Sequence, residues 1–205
     1  MDTSWSSVRP ATLPQAPSLR VRSNMLAKSI GPDLELRLLE VRHAEQFFAM
    51  QMRDKENFSK WIPWKFDESY TVESARNFIK GELQKFVNNS GIELGIWHKE
   101  QLIGDLGLNF IDWQNKRADM GFSLTADFQG RAIATAACRA LLAYAFGELK
   151  LNRMEMRCSK DNERACALAR RLGFTQEGHC SEAQWLHGRF WDLLLFGMIA
   201  EDWQQ

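Results

Sequence analysis

Proline is scarce in this chain and unevenly spread: five in 205 residues, with Pro10, Pro14 and Pro17 crowded into the start. Cysteine is scarce too, at positions 138, 158, 166 and 180, with no C-x-x-C pair. That spacing removes zinc-ribbon and dithiol redox motifs, and a chain of this size needs no disulfide staples, so four reduced thiols are expected. The four histidines, His43, His98, His179 and His187, form no cluster on one element, and no metal site is expected. No apolar run approaches about 18 residues, which excludes a membrane-spanning helix. Charge of one sign is also missing: 26 basic side chains balance 26 acidic ones. A protein that coats a nucleic-acid backbone carries a basic excess, so direct nucleic-acid binding is not expected. No repeat recurs at roughly 20–50 residues, which removes solenoids and propellers. What is present is 45% hydrophobic residues, 13 Phe and 8 Trp, enough for one soluble domain with a substantial core.

Residues 1–24 combine the three early prolines with Ser and Thr and show no periodic apolar face. They read as a disordered extension or a misassigned start, with Met25 standing before the first patterned segment. Residues 25–205 then read as a single domain. Leu34, Leu36 and Leu38 alternate as a first strand. Residues from His43 form a helix, and a second runs from about Thr71 to Val87, closed by Asn88-Asn89-Ser90-Gly91. Ile92–Trp97, Gln101–Ile111 and Lys116–Leu124 read as strands joined by short turns. Residues 130–149 are Ala-rich with apolar side chains at helical spacing, a long buried helix starting at Gly130. Arg153–Cys158 is a short strand, Asn162–Leu172 a helix, and two strands follow Gly173. The order β-α-α-β-β-β-α-β-α-β-β predicts an α/β (α+β) mixed sheet with helices on its faces.

Chemistry is expected where the strand ending near Leu124 gives way to the long helix. First-turn amides have no intrahelical acceptors and carry the positive end of the helix dipole. Gly130, Ala132, Ala134, Ala136 and Ala137 leave room for a phosphate, and Arg131 adds a positive charge. The same alanines would equally let the helix pack closely on the sheet. Neither G-x-x-x-x-G-K-[ST] nor G-x-G-x-x-G occurs, so this is neither a P-loop nor a dinucleotide fingerprint.

Gln129-Gly130-Arg131-Ala132-Ile133-Ala134 resembles the pyrophosphate signature Q/R-x-x-G-x-G/A of the GCN5-related N-acetyltransferases (GNAT). Asn162-Glu163-Arg164-Ala165, running to Leu172-Gly173-Phe174, resembles the second half of that superfamily pattern. Trp61-Ile62-Pro63-Trp64, the segment Ile103-Gly104-Asp105-Leu106-Gly107-Leu108, the segment Arg117–Phe122 and the tail to Trp185-Leu186-His187-Gly188 are similar to the ribosomal-protein N-terminal (RimJ/RimL-type) branch. The resemblance covers about residues 33–200.

It implies a mostly antiparallel sheet that splays between its fourth and fifth strands. Acetyl-CoA would be the cosubstrate, with its pantetheine in the gap and no metal involved. It implies that Gln129, Gly130, Arg131, Ala132, Ile133 and Ala134 hold the pyrophosphate. Phe122, Ser123 and Leu124 would offer edge backbone groups to pantetheine, and Asn162 would bond near its other end. Ala132 replaces the motif's central glycine, and a helical alanine there would be unstrained. Ala165 stands where the branch often carries a Ser suited to the departing thiolate, and Gln184 where relatives carry a Glu.

The reaction expected is direct attack of a primary amine on the thioester, with a base to take its proton. Asp119 is the first candidate base, and a strand-end carboxylate bridged to Arg117 or Arg153 is its structural alternative. Glu182 is the second candidate. Trp61 and Trp64, flanking Pro63, are candidate walls of the acceptor pocket, and Asp67, Glu68 and Glu73 would favour a cationic amine if they line it. Cys138 and Cys166, on apolar helices, read as structural thiols rather than acyl carriers. The acceptor is expected to be a protein N-terminus, with a small-molecule amine or a catalytically weak acyl-CoA-binding role as alternatives. A cytoplasmic setting is expected, and a homodimer stays open.

Overall fold

The computed structural model describes Met25 and residues 27–62, 66–67 and 69–204. The readings of residues 1–24, Pro63, Trp64 and Glu68 lie outside the described residues. One sheet of eight strands runs through the chain: β1 (Ala27–Gly31), β2 (Leu34–Leu38), β3 (Ile92–His98), β4 (Gln101–Asp112), β5 (Arg117–Leu124), β6 (Arg153–Ser159), β7 (Thr175–Leu186) and β8 (Arg189–Ile199). Their spatial order is β1-β2-β3-β4-β5-β6-β8-β7. All neighbours are antiparallel except β5 and β6. The sequence reading missed β1, a five-residue edge strand, AKSIG, whose short pattern carries little periodicity.

Among the described residues five α-helices cover the sheet: α1 (Ala44–Arg53), α2 (Lys55–Ser59), α3 (Val72–Val87), α4 (Ile133–Gly147) and α5 (Glu163–Leu172). Thr71 starts α3 with a capping box, its hydroxyl accepting from the Ser74 amide while Ser74 answers at the Thr71 amide. Phe47, Met50, Ala75 and Ile79 pack α1 and α3 on Trp97 and Leu102 of one sheet face. Ile133, Ala137, Cys138, Leu141 and Leu142 pack α4 on the other, against Ile96, Leu106, Leu108 and Met120. α5 ends at Gly173, whose φ of +96° lets the Phe174 amide turn back to the Ala169 carbonyl.

The feature that positions a site lies between β5 and β6. They pair only at Arg117–Arg153, Ala118–Met154 and Asp119–Glu155. β6 keeps its ladder to β8 as far as Ser159, while β5 continues to Leu124 paired with β4 only. The expected splay is therefore present, counted between the fifth and sixth strands because β1 precedes them. One expectation is corrected. α4 starts at Ile133, not Gly130, and Ala132 stands before it in the left-handed region, at φ +59° and ψ +4°. Gly130 is left-handed too, at φ +75°. A methyl group at Ala132 meets the clash that glycine escapes, so the expected unstrained helical alanine is not what the chain has.

Candidate active site

Past Asp119 the β6-facing edge of β5 has no strand partner. Backbone groups along this edge can be met by an extended ligand bearing amides of its own. At the end of that edge, both lone pairs of the Leu124 carbonyl are engaged, by Asn57 Nδ2 at 3.2 Å and Gln129 Nε2 at 2.9 Å. Leu124 therefore offers no free carbonyl to a ligand. Gln129 also donates to Asn57 Oδ1 and accepts from Arg164 of α5, so its side chain braces β5, α2 and α5 together. Its backbone begins the loop to α4. With Gly130 and Ala132 left-handed and no side chain capping α4, the loop and first-turn amides form an open anion cradle, and Arg131 lies exposed beside it over the Phe128 ring. Those groups fit a pyrophosphate. Asn162 caps α5 by accepting from the Ala165 amide at 3.1 Å, which leaves its Nδ2 as the group to reach a ligand.

On β5 Asp119, Gly121 and Ser123 face the same side of the sheet, that covered by α1 and α3. Asp119 is half-buried and bonded to neither arginine expected of it. Arg117 pairs with Asp112 and Glu155, and Arg153 with Glu155 and Glu177. A bulge in β4 between Leu108 and Phe110 turns Asn109 towards Asp119, and Asn109 Nδ2 donates to Oδ1 at 2.8 Å. Gly121 makes room for that amide, since a Cβ there would stand 3.0 Å from Nδ2. Burial pushes the Asp119 carboxyl above its usual range, while the Asn109 bond and Arg157 pull it back. That suits a proton acceptor near neutral pH better than an ordinary surface aspartate.

Glu182 is brought to a different place. It lies exposed on the edge strand β7, left-handed at φ +50° within a bulge, and its amide donates to Asp192 Oδ1. Trp61 meets Trp191 of β8 edge to face at 6.1 Å, and His187 reaches the Ser59 carbonyl, so the β7–β8 hairpin closes over the α2 segment. Glu73 is already paired with Arg76 and Lys80. Cys138 and Cys158 are buried, which pushes both thiols up to about 12, and Cys166 is buried against Cys158. Nucleophilic thiolates are not available there. Among the described residues no cluster of His, Cys, Asp and Glu could hold a metal ion.

Residue-by-residue reading missed a second polar group on the same face. Asp105 of β4 stands directly opposite Ser123 and accepts from its hydroxyl, and Glu93 of β3 is hydrogen bonded to Asp105. The signal was Asp105 and Glu93 alternating with apolar residues in strands that otherwise read as core.

A splayed parallel pair followed by an anion cradle at a helix start defines an enzyme that binds an acyl-CoA and transfers its acyl group. The acetyltransferase (GNAT) domain model matches residues 33–175, and the chain belongs to that family. Its likeness within the family is to the RimJ/RimL-type branch. The ribosomal-protein-serine acetyltransferase of Escherichia coli (strain K12) is 25% identical over 173 residues, covering 84% of this chain and 96% of that protein. The structure of RimL, a ribosomal L7/L12 alpha-N-protein acetyltransferase in complex with coenzyme A, superposes with a TM-score of 0.79 at 26% identity, over 84% of this chain and 97% of that one. The microcin C7 self-immunity acetyltransferase MccE, in complex with acetyl-CoA and AMP, superposes with a TM-score of 0.77 at 28% identity, over 83% and 94%. The protein is an acetyl-CoA-dependent N-acetyltransferase.

Proposed function

We propose that the acceptor is the N-terminal amine of a protein, a ribosomal protein being the first candidate, and that the chain works in the cytoplasm. The observation that supports an amine acceptor is the acidic face of β4 and β5, continuous with the unpaired edge of β5. The likeness to ribosomal-protein acetyltransferases supports a protein N-terminus as that acceptor. When bound, acetyl-CoA supplies the thioester as acyl donor. The amides of residues 130–135 hold its pyrophosphate with Arg131, and the free edge at Phe122 and Ser123 orients its pantetheine arm. Amides on that edge can polarise the thioester carbonyl. Asp119 accepts the proton that the attacking amine must lose, through water. Glu182 is the second candidate for that role, on the bulged edge strand. With Ala165 in place of a hydroxyl residue, solvent serves the leaving thiolate.

A small-molecule amine is the second reading, favoured by the Trp61–Trp191 contact, a pair of aromatic rings of the kind that walls a compact pocket. Thiol release from acetyl-CoA decides between them. Short peptides with free Ser, Ala or Met N-termini should turn over with a kcat/KM at least tenfold above simple alkylamines and polyamines. The reverse order would overturn the peptide reading.

A further inference from the structure

We propose that Asp105, oriented by the Ser123 hydroxyl and backed by Glu93, is the anionic seat that binds the acceptor as its ammonium form. This rests on the reading that the cleft takes an amine, and it names the side chains that recognise one.

Position comes first. Ser123 lies on the stretch of β5 that has lost its β6 partner, so its side chain projects from the strand expected to carry the thioester. Its hydroxyl donates to Asp105 Oδ1, and Asp105 is only half-buried. Glu93 lies deeper, 6% exposed, its carboxyl over Gly107, where any Cβ would collide with it.

Charge comes second. Two carboxyl groups in a hydrogen bond must share a proton. Glu93 is the holder, because burial and the charges of Asp105 and Glu82 all push its carboxyl well above the usual range. Asp105 is raised by burial but held back by the bonds from Ser123 and Glu93, so it keeps the charge. On the α3 side, Glu82 is 8% exposed. Its Oε1 pairs with Lys85 at 2.7 Å, and its Oε2 is buried with no hydrogen-bond partner. From the segment before α3, Tyr70 gives its hydroxyl to Gln51 of α1 and is itself pushed up to about 12 by burial and by Asp105. Among the described residues, the one ion pair made by these three carboxyl groups is that of Glu82 with Lys85. Among the described residues Asp105 has no salt-bridge partner. A half-buried carboxylate aligned by a hydroxyl but lacking a counter-ion is a place where a primary ammonium gains a charge-assisted hydrogen bond.

Asp119 differs in both respects. It has Asn109 as a donor and Arg157 as a neighbouring positive charge, and it lies four positions back along β5, about 13 Å at strand spacing. Recognition at Asp105 and proton removal at Asp119 are therefore separable, and a proton passing from the seated ammonium to Asp119 would need a chain of waters rather than a single one.

The test compares wild type with Asp105→Asn, Ser123→Ala and Asp119→Asn, using acetyl-CoA with the peptide and alkylamine panel. For whichever amine wild type accepts, Asp105→Asn should raise KM at least tenfold and Ser123→Ala about threefold. Acetyl-CoA affinity should stay within twofold in both. An unchanged KM, or an acetyl-CoA affinity lost in step with it, overturns the proposal and leaves Asp105 a structural group. Which amine is preferred judges the peptide reading separately. If no amine on the panel turns over, thermal shift with butylammonium chloride in the presence of CoA decides. Protection in wild type that Asp105→Asn abolishes supports the seat, and its absence in wild type overturns it.

Discussion

At the scale of single residues, Glu93 makes the protein's stability respond to pH in a direction opposite to that of most carboxylates. Its folded-state pKa is raised above the ordinary value of 4.5, so between those two values the folded chain binds more protons than the unfolded one. The stabilising contribution is complete below the unfolded value and is lost as pH rises through the folded one. Denaturant midpoints should therefore fall from pH 5 towards pH 9. Glu93→Gln keeps an uncharged donor towards Asp105 and should flatten that fall, making the variant the more stable protein at pH 9. A parallel pair of curves would show that Glu93 ionises at no cost. Asp119 gives a kinetic counterpart. Asp119→Asn should leave acetyl-CoA affinity unchanged and lower kcat/KM by roughly 10²–10⁴, with the acid limb of the rate profile flattened. Wild-type kcat/KM across pH 6–9 would remove Asp119 from the reaction. Asp119 was legible in sequence as a carboxylate two residues before Gly121, on one strand face. Asp105 was not recognised as part of the site, because its meaning depends on β3 and β5 lying on either side of β4, a register no local pattern reveals.

At the scale of elements, periodicity located the four long helices, α1, α3, α4 and α5, and seven of the eight described strands, because those segments bury one face continuously. It missed β1 and α2, which have five residues each and too little burial to leave a pattern. It also misjudged the loop before α4, since small residues permit a helix and a left-handed turn equally well, and only the backbone decides. That loop yields a test. Left-handed alanine costs roughly 1–2 kcal/mol against glycine. Glycine returns about 0.4–1 kcal/mol of that through the freedom it gives the unfolded chain. Ala132→Gly should thus stabilise the protein by about 0.5–1 kcal/mol, which for this size is a rise in Tm of about 1–4 °C. CoA affinity should not fall. A lower Tm would mean that the loop prefers another conformation in solution. In α5, Ala165→Ser should raise kcat if departure of the thiolate is limiting, and leave it unchanged if amine deprotonation or product release is slower.

At the scale of the whole molecule, the sheet is nearly two sheets. β1 to β5 form one ladder and β6 to β8 another, joined by three rungs at one end. What ties the open ends is sparse: packing of α4 on α5, and the Gln129 side chain, bonded at once to the Leu124 carbonyl of β5, to Asn57 of α2 and to Arg164 of α5. A ligand lying in the gap adds a tie where the ladder has none, so it should bind the folded chain alone and raise its stability. At one hundred times its Kd, acetyl-CoA should add about 2.7 kcal/mol. For a chain of this size that corresponds to a rise in Tm of roughly 5–11 °C. Amides of Met120–Leu124 and residues 130–135 should gain most of the added hydrogen-exchange protection, and those of β2 and β3 little. Gln129→Ala removes the brace and should cost about 1–2 kcal/mol without ligand, the worth of one or two partly exposed hydrogen bonds. With saturating acetyl-CoA the same substitution should cost less than half as much if ligand and brace close the same gap. Equal losses with and without acetyl-CoA would show that Gln129 stabilises its own loop and carries no tension across the splay. Arg164→Ala separates those cases within the brace. Combined with Gln129→Ala it should add little further loss, because the only hydrogen bond of Arg164 in the described structure goes to Gln129 Oε1.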